Sequence, residues 1–86
     1  MSNHQPAQKK FGQHFLYDQR VIRRILSTAD LRKNDRVLEI GPGRGHLTRS
    51  LSESGVFVTA IEIDDKLIFG PLLELREKSN VEIVHG

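Results

Sequence analysis

The sequence predicts an α/β fold in which parallel strands are joined by crossover helices. Three short apolar runs, at 36–40, 56–61 and 81–84, alternate with segments of helical spacing. Strands that alternate with helices form parallel sheets with right-handed crossovers. The run at 56–61 is apolar almost throughout, as expected of a strand covered on both faces. A glycine-rich turn at 41–45 ends the first strand abruptly, which is typical of a strand-to-helix junction.

Three segments of the sequence have helical character. Asp18 can cap a first helix that ends near Ala29, because the apolar residues that follow it fall on one face: Val21, Ile22, Ile25, Leu26 and Ala29. A second helix is predicted from His46 to Ser54, and Gly55 is its expected stop. A third segment, from Asp65 to Lys78, is expected to break or restart at Gly70-Pro71, since proline has no amide hydrogen to donate.

Length and composition exclude several classes of protein. A chain of 86 residues corresponds to one domain or less. The absence of cysteine excludes a disulfide framework and a cysteine-based zinc site, and no metal site is predicted. No run approaches the roughly 18 apolar residues of a membrane span. The first fifteen residues lack the apolar core of a signal peptide. We therefore expect a cytoplasmic protein with no membrane partner.

Charge is distributed unevenly along the chain. Residues 1–50 contain ten Lys/Arg and four Asp/Glu, a balance of +6, whereas residues 51–86 contain three and seven, a balance of −4. A basic front half suggests an anionic partner such as nucleic acid. Solvation of helix surfaces is the more common reason for such charges, so charge alone favours that explanation over a nucleic-acid partner.

The turn after the first strand has the pattern Glu-x-Gly-x-Gly-x-Gly, formed by Glu39, Gly41, Gly43 and Gly45. Glycines at such a turn let the backbone approach a ligand closely. The dinucleotide fingerprint G-x-G-x-x-G would need glycine where His46 stands. The pattern instead resembles motif I of class I S-adenosylmethionine (SAM) methyltransferases. That resemblance implies the first half of a Rossmann-like domain with SAM as its cofactor.

A single acid follows the second predicted strand. Glu62 lies 21 residues beyond Gly41, where a carboxylate can accept hydrogen bonds from both hydroxyls of a ribose. Because loop and acid occur together at the spacing of a βαβ unit, we interpret Glu62 as a cofactor ligand. Asp64 or Asp65 is expected to cap the next helix instead.

The N-terminal segment narrows the resemblance to one family. Residues 10–16, KFGQHFL, resemble the opening of ribosomal RNA adenine N6-dimethyltransferases, both the KsgA-type enzymes of the small subunit and the Erm-type enzymes of antibiotic resistance. The resemblance continues through VLEIGPGRGHLT, FVTAIEID and VEIVHG, and covers nearly the whole chain from Lys9 onward. The residues do not separate the KsgA type from the Erm type.

The resemblance implies a set of site residues. His14, Leu16, Gly41 and Glu62 would contact SAM, with support from Gln13, Glu39, Gly43 and Gly45. The family usually has asparagine at position 14, so His14 is a departure. Ribosomal RNA would be the partner, and we expect the basic residues near the front to contribute to its binding: Lys9, Lys10, Arg20, Arg23 and Arg24.

One family motif does not occur in the sequence. The Asn-x-Pro-Tyr motif, which in the family holds the adenine amine, is not found between positions 1 and 86, so no catalytic residue is assigned. The chain is interpreted as an arm, 1–17, and the N-terminal half of a SAM-binding domain, 18–86. Alone it is expected to be inactive and to self-associate through the open edge of strand 36–40. The alternatives are a non-catalytic RNA-binding or assembly module, and a methyltransferase with a different acceptor.

Overall fold

A computed structural model of the chain describes residues 18–86, which form a three-stranded parallel sheet. Strands β1 (Arg36–Ile40), β2 (Phe57–Glu62) and β3 (Val81–His85) lie in the order β1-β2-β3. Arg36 pairs with Phe57 at one end of β1 and Ile40 with Ile61 at the other. The predicted α/β class with parallel strands and crossover connections is confirmed.

Helix α1, Gln19–Ala29, begins where the sequence predicts. The side chain of Asp18 accepts a hydrogen bond from the Arg20 amide at 2.9 Å, and the helix ends at Asp30 in a left-handed conformation. Ile22 is buried and Leu26 packs against the core. The outer part of the predicted apolar face stays accessible, since Ile25 is 37% exposed. The helix therefore uses only part of its apolar stripe within the described residues.

Helix α2, His46–Glu53, connects β1 to β2 and follows the predicted bounds closely. Gly55 has a φ of +95°, a conformation that glycine adopts without strain, and the chain reverses there into β2. The predicted stop at Gly55 is confirmed.

The connection from β2 to β3 is less helical than the sequence suggests. Helix α3, Asp65–Ile68, has a single turn, and a 3-10 helix, Leu75–Glu77, follows after a series of turns. The predicted break at Gly70-Pro71 is confirmed, but no second α-helix forms beyond it. Pro71 lacks an amide hydrogen, and Leu72 instead donates its amide to the carbonyl of Leu67.

The core lies on one face of the sheet. One cluster, in which Leu51 of α2 packs on Val56, Val58 and Ala60, continues into a second that lies under the β2–β3 connection: Ile68, Leu72, Leu75 and Val81. The opposite face is open, with Leu38 63%, Ile40 71% and Phe57 43% exposed. The prediction that β2 is covered on both faces is therefore wrong for residues 18–86, because every packed helix lies on the same side.

None of the helices within residues 18–86 is long and apolar enough to cross a membrane.

Candidate functional site

The glycine loop, residues 41–45, leaves the carboxyl end of β1 and enters α2. Gly41, Gly43 and Gly45 all have positive φ, at 68°, 60° and 89°. A Cβ placed on Gly41 or Gly43 would meet no atom within 4 Å, so the backbone there borders open space. A Cβ on Gly45 would instead overlap the buried side chains of Leu72 and Leu75. The first two glycines thus leave the backbone accessible, and the third lets α2 pack closely.

Glu62 is the last residue of β2, whereas the sequence predicts it directly after the strand. Its side chain reaches the glycine loop. The residue is only 6% exposed. One carboxylate oxygen, Oε1, accepts a hydrogen bond from the Gly43 amide at 3.3 Å, and Oε2 accepts one from the Asp64 amide at 3.0 Å. Backbone donors therefore stabilise a buried carboxylate at the place where the sequence predicts a ligand.

Glu39 is a second carboxylate at this end of the sheet. Its side chain is half-buried on β1, and its Oε1 accepts a hydrogen bond from Thr48 Oγ1 at 2.6 Å. Burial raises the pKa of Glu39, and the Thr48 hydroxyl partly offsets that shift. Among the described residues, no Lys or Arg forms an ion pair with Glu39. The site thus contains a carboxyl group without a cationic partner.

The sheet register brings the two carboxylates to the same place. Glu39 pairs with Ala60, and Glu62 lies two residues further along β2 on the same, helix-covered face. Side chains at the carboxyl ends of adjacent parallel strands converge at one edge of a sheet, which is where α/β folds bind their ligands. The site can therefore accept hydrogen bonds from hydroxyl groups and attract positive charge beside an accessible backbone loop.

A histidine completes this edge. His85, at the end of β3, pairs in register with Glu62. Its Nε2 lies 2.7 Å from Asp65 Oδ1 and 3.1 Å from the Ile63 carbonyl oxygen. Asp64 caps α3 by accepting a hydrogen bond from the Lys66 amide at 2.9 Å, as the sequence predicts.

Two of these contacts were not predicted from the sequence. In the sequence, Thr48 is simply the last residue of the segment VLEIGPGRGHLT. Its position nine residues after Glu39 is the one feature that could have indicated this contact. Nothing in the sequence pairs His85 with Asp65, since 20 residues separate them. Within residues 18–86 no group of three or more His, Cys, Asp or Glu side chains could hold a metal ion.

The structure brings together five of the residues that the sequence predicts for the site: Glu39, Gly41, Gly43, Gly45 and Glu62. Three of the predicted basic residues are exposed on α1, and Arg20 forms an ion pair with Asp18 at 3.1 Å. The remaining predicted residues lie outside the described part of the chain: Lys9, Lys10, Gln13, His14 and Leu16.

The family model described as "Ribosomal RNA adenine dimethylase" matches residues 4–86. The chain belongs to the ribosomal RNA adenine dimethylase family. The resemblance inferred from KFGQHFL and the glycine motif is thereby confirmed.

Individual relatives support the same family. Ribosomal RNA small subunit methyltransferase A of Geobacter metallireducens is 44% identical over 82 residues, which is 93% of this chain and 29% of that protein. Among solved structures, the 23S rRNA methyltransferase ErmE has a TM-score of 0.71 at 42% identity, over 80% of this chain and 28% of that one. A dimethyladenosine transferase from Plasmodium falciparum has a TM-score of 0.69 at 29% identity, over 80% and 26%.

These three relatives are much longer than the chain. The chain spans between 26% and 29% of their length. Residues 18–86 thus have the fold of the first part of a class I methyltransferase domain.

Proposed function

We propose that the chain is the SAM-binding part of an enzyme that methylates N6 of adenine in ribosomal RNA. The observation that carries the proposal is the glycine loop with the Glu62 carboxylate held against it by the Gly43 amide. Membership of the ribosomal RNA adenine dimethylase family supports the RNA substrate.

The residues of this site fit SAM chemically. Glu62 offers a buried carboxylate that can accept hydrogen bonds from both ribose hydroxyls and would repel a 2′-phosphate. Gly41 and Gly43 leave room beside the backbone for the methionine part of the cofactor. SAM carries a positive ammonium and a positive sulfonium, and Glu39 adds a second negative charge near the loop. A cationic nucleoside therefore suits this donor and acceptor set.

Each site residue then has a definite role. SAM, when bound, supplies an electrophilic methyl group. Glu62 orients the ribose, and Gly41 and its neighbours in the loop bind the methionine end through the backbone. Such binding contributes to catalysis by positioning, which can account for a large part of a rate enhancement. Glu39, Gly43 and Gly45 support the loop.

Residues of the arm 1–17 belong to the same proposal. By the resemblance to the family, His14 and Leu16 contact the cofactor and Gln13 supports them. A histidine at position 14 still provides a ring nitrogen that can donate one hydrogen bond, in place of the usual asparagine amide. Its charge depends on pH, which asparagine's does not.

The acceptor side of the reaction is not provided by residues 1–86. Adenine N6 is a weak nucleophile because its lone pair is delocalised into the ring, so an enzyme must hold the amine and stack the flipped base. The sequence has no Asn-x-Pro-Tyr motif for this purpose. The 86-residue chain by itself is therefore proposed to provide part of the SAM site without catalysing methyl transfer.

The test uses the natural chain, meaning the full-length protein in which this sequence occurs. Calorimetry with SAM and with S-adenosylhomocysteine measures cofactor binding. Transfer of a labelled methyl group to small-subunit particles and to naked 23S rRNA then identifies the acceptor. A folded natural chain that binds neither cofactor would contradict the proposal. RNA binding without transfer would indicate a non-catalytic module, and transfer to another acceptor would contradict the RNA substrate.

A further inference from the structure

The glycine loop is joined at its two flanks by one side-chain hydrogen bond. Glu39 lies on β1 two residues before the loop begins, and Thr48 lies in the first turn of α2, three residues after it ends. Thr48 Oγ1 donates to Glu39 Oε1 at 2.6 Å. The bond therefore connects the strand that precedes the loop to the helix that follows it.

The loop needs such a connection. The three loop residues with left-handed φ are all glycine, and glycine has more conformational freedom in the unfolded chain than any other residue. Helix α2 begins after Gly45, which has no side chain to cap the first amides of the helix. The usual device that fixes a helix start is absent, and the link between Thr48 and Glu39 fixes the start of α2 relative to β1.

The environment of Thr48 shows that its hydroxyl is committed to this contact. Thr48 is 0% exposed. A threonine hydroxyl inside a helix commonly bonds to a carbonyl of the preceding turn, but this one reaches across to β1. Removing the hydroxyl would leave part of the half-buried Glu39 carboxyl without a donor, and a carboxyl that loses its hydrogen bond holds its proton more tightly.

We infer that Thr48 is a positioning residue, whose hydroxyl holds the glycine loop for the cofactor by way of Glu39. The inference rests on the proposed function, because the ligand in question is SAM. The other hold on the loop, from Gly43 to Glu62, uses the carboxylate that is proposed to bind the ribose. The Thr48 contact does not involve that carboxylate and can persist when the cofactor binds. A loop that is ordered beforehand loses less entropy on binding.

Two substitutions in the natural chain separate the hydroxyl from the shape of the side chain. Thr48→Val keeps the shape and removes the hydroxyl, and Thr48→Ser keeps the hydroxyl and removes a methyl group. We expect Thr48→Val to weaken S-adenosylhomocysteine binding about tenfold in calorimetry. We expect Thr48→Ser to bind close to wild type. Equal affinity of the valine variant and wild type, or equal weakening by valine and serine, would overturn the inference.

A second readout does not depend on the cofactor. NMR titration of the Glu39 carboxyl in the unliganded protein should show a higher pKa in Thr48→Val than in wild type, because the bond from Thr48 lowers it. If wild type fails to bind either cofactor, the proposed function fails while this titration still tests the contact. If wild type binds the cofactor and the Glu39 pKa is the same in Thr48→Val as in wild type, the inference fails and the proposed function stands.

The valine variant is not essential to the test. Should it fail to fold, the Cβ resonance of Thr48 in wild type should shift with the same midpoint as the Glu39 carboxyl. If the Thr48 resonance does not shift over the pH range in which the Glu39 carboxyl titrates, the inference is overturned.

Discussion

The backbone amide of Gly43 donates a hydrogen bond to the Glu62 carboxylate at 3.3 Å, although the two residues are 19 positions apart. This contact joins the loop after β1 to the end of β2. The carboxylate proposed to bind the ribose therefore also orders the loop proposed to receive the methionine. A change at Glu62 should disturb both ends of the cofactor together.

We predict that Glu62→Ala weakens SAM binding by the natural chain by about 2–3 kcal/mol, the cost of losing hydrogen bonds to a charged acceptor. Calorimetry measures the effect. Glu53→Ala is a matched control, because Glu53 is exposed at the end of α2 and should leave affinity unchanged. Unchanged affinity in a folded Glu62→Ala protein would contradict the ligand role.

Contacts of this site that follow from a local sequence pattern can be predicted, and contacts that depend on how distant elements pack cannot. Gly41, Gly43 and Glu39 follow from a local motif, and Glu62 follows from the spacing of a βαβ unit. The bond from Thr48 to Glu39 depends on the rotation of α2 against the sheet, which no local pattern contains. The contact between His85 and Asp65 depends likewise on how β3 lies against β2.

The fold shows the same division between local and non-local information. Capping by Asp18 and termination at Gly55 are local, and both are confirmed. The apolar run of β2 correctly indicates a buried strand, but hydrophobicity does not say which elements cover it. Phe57 is consequently 43% exposed within the described residues, against expectation. Beyond Pro71 the helical spacing is weak, and tertiary packing of Leu72 and Leu75 decides the conformation.

Glu39 should make stability depend on pH in a defined direction. Burial raises its pKa in the folded state above the ordinary value of about 4.3, so the folded protein holds the proton more tightly than the unfolded chain. The resulting stabilisation is complete below the unfolded pKa and is lost as pH rises through the folded pKa. We therefore predict that Glu39→Gln gains stability relative to wild type as pH rises from 4 to 7.

Urea unfolding of the natural chain and of Glu39→Gln at both pH values measures this difference. The comparison of the two proteins at each pH removes the contribution of all other titrating groups. A stability difference that is the same at pH 4 and pH 7 would show that the Glu39 pKa is not raised in the folded protein.

Two glycines of the loop should respond differently to the same substitution. At Gly45 an added Cβ meets the buried side chains of Leu72 and Leu75, and φ is +89°, so Gly45→Ala should cost about 3 kcal/mol of stability. At Gly43 an added Cβ meets no atom within 4 Å. Gly43→Ala should therefore lose only about 1 kcal/mol of stability, because alanine disfavours the left-handed backbone conformation.

Denaturant unfolding compares the stability of the two variants. Calorimetry with SAM then measures the cofactor affinity of Gly43→Ala. Gly43→Ala should stay folded and lose cofactor affinity, because its methyl group would occupy space beside the backbone that the cofactor needs. Equal stability losses for the two variants would contradict the packing role of Gly45. Undiminished affinity of Gly43→Ala would place the cofactor elsewhere.

The exposed arginines of α1 should contribute to RNA affinity through phosphate contacts. Arg23 and Arg24 are exposed and form no ion pair with other described residues, whereas Arg20 is paired with Asp18. We predict that the change of Arg23 and Arg24 together to Ala lowers the log–log salt slope of RNA binding by about 1 for each arginine. Arg20→Ala should lower it less. An unchanged slope in the double variant would limit these residues to solvation of the helix.

The last prediction concerns the free edge of β1. Within residues 18–86, β1 pairs only with β2. Asp35 accepts a hydrogen bond from Phe57 of β2, and the Gly41 amide donates one to Ile61. Backbone groups alternate in direction along a strand, so those of Arg36, Leu38 and Ile40 point to the unpaired side. This edge is a template for pairing with a second chain.

Arg36 at the start of β1 is exposed and charged, but the exposed side chains at the centre and end of the strand do not discourage such pairing. Leu38 is 63% and Ile40 is 71% exposed, and both are apolar. The outer strand β3, by contrast, has the charged Glu82 and the polar His85 exposed along its length, which are residues that protect an edge. We therefore predict that the 86-residue chain self-associates through β1 and not through β3.

Sedimentation velocity over a range of concentrations measures the association. Leu38→Lys places a charge at the centre of the free edge and should shift the 86-residue chain towards monomer, since a lysine on an edge strand opposes pairing. Val84→Lys is the matched control, because Val84 is also a partly exposed apolar residue of the same sheet face but belongs to β3. A monomeric wild-type chain at high concentration would contradict the prediction. An equal effect of both lysines would assign the association to the open sheet face, because that face is what the two positions share.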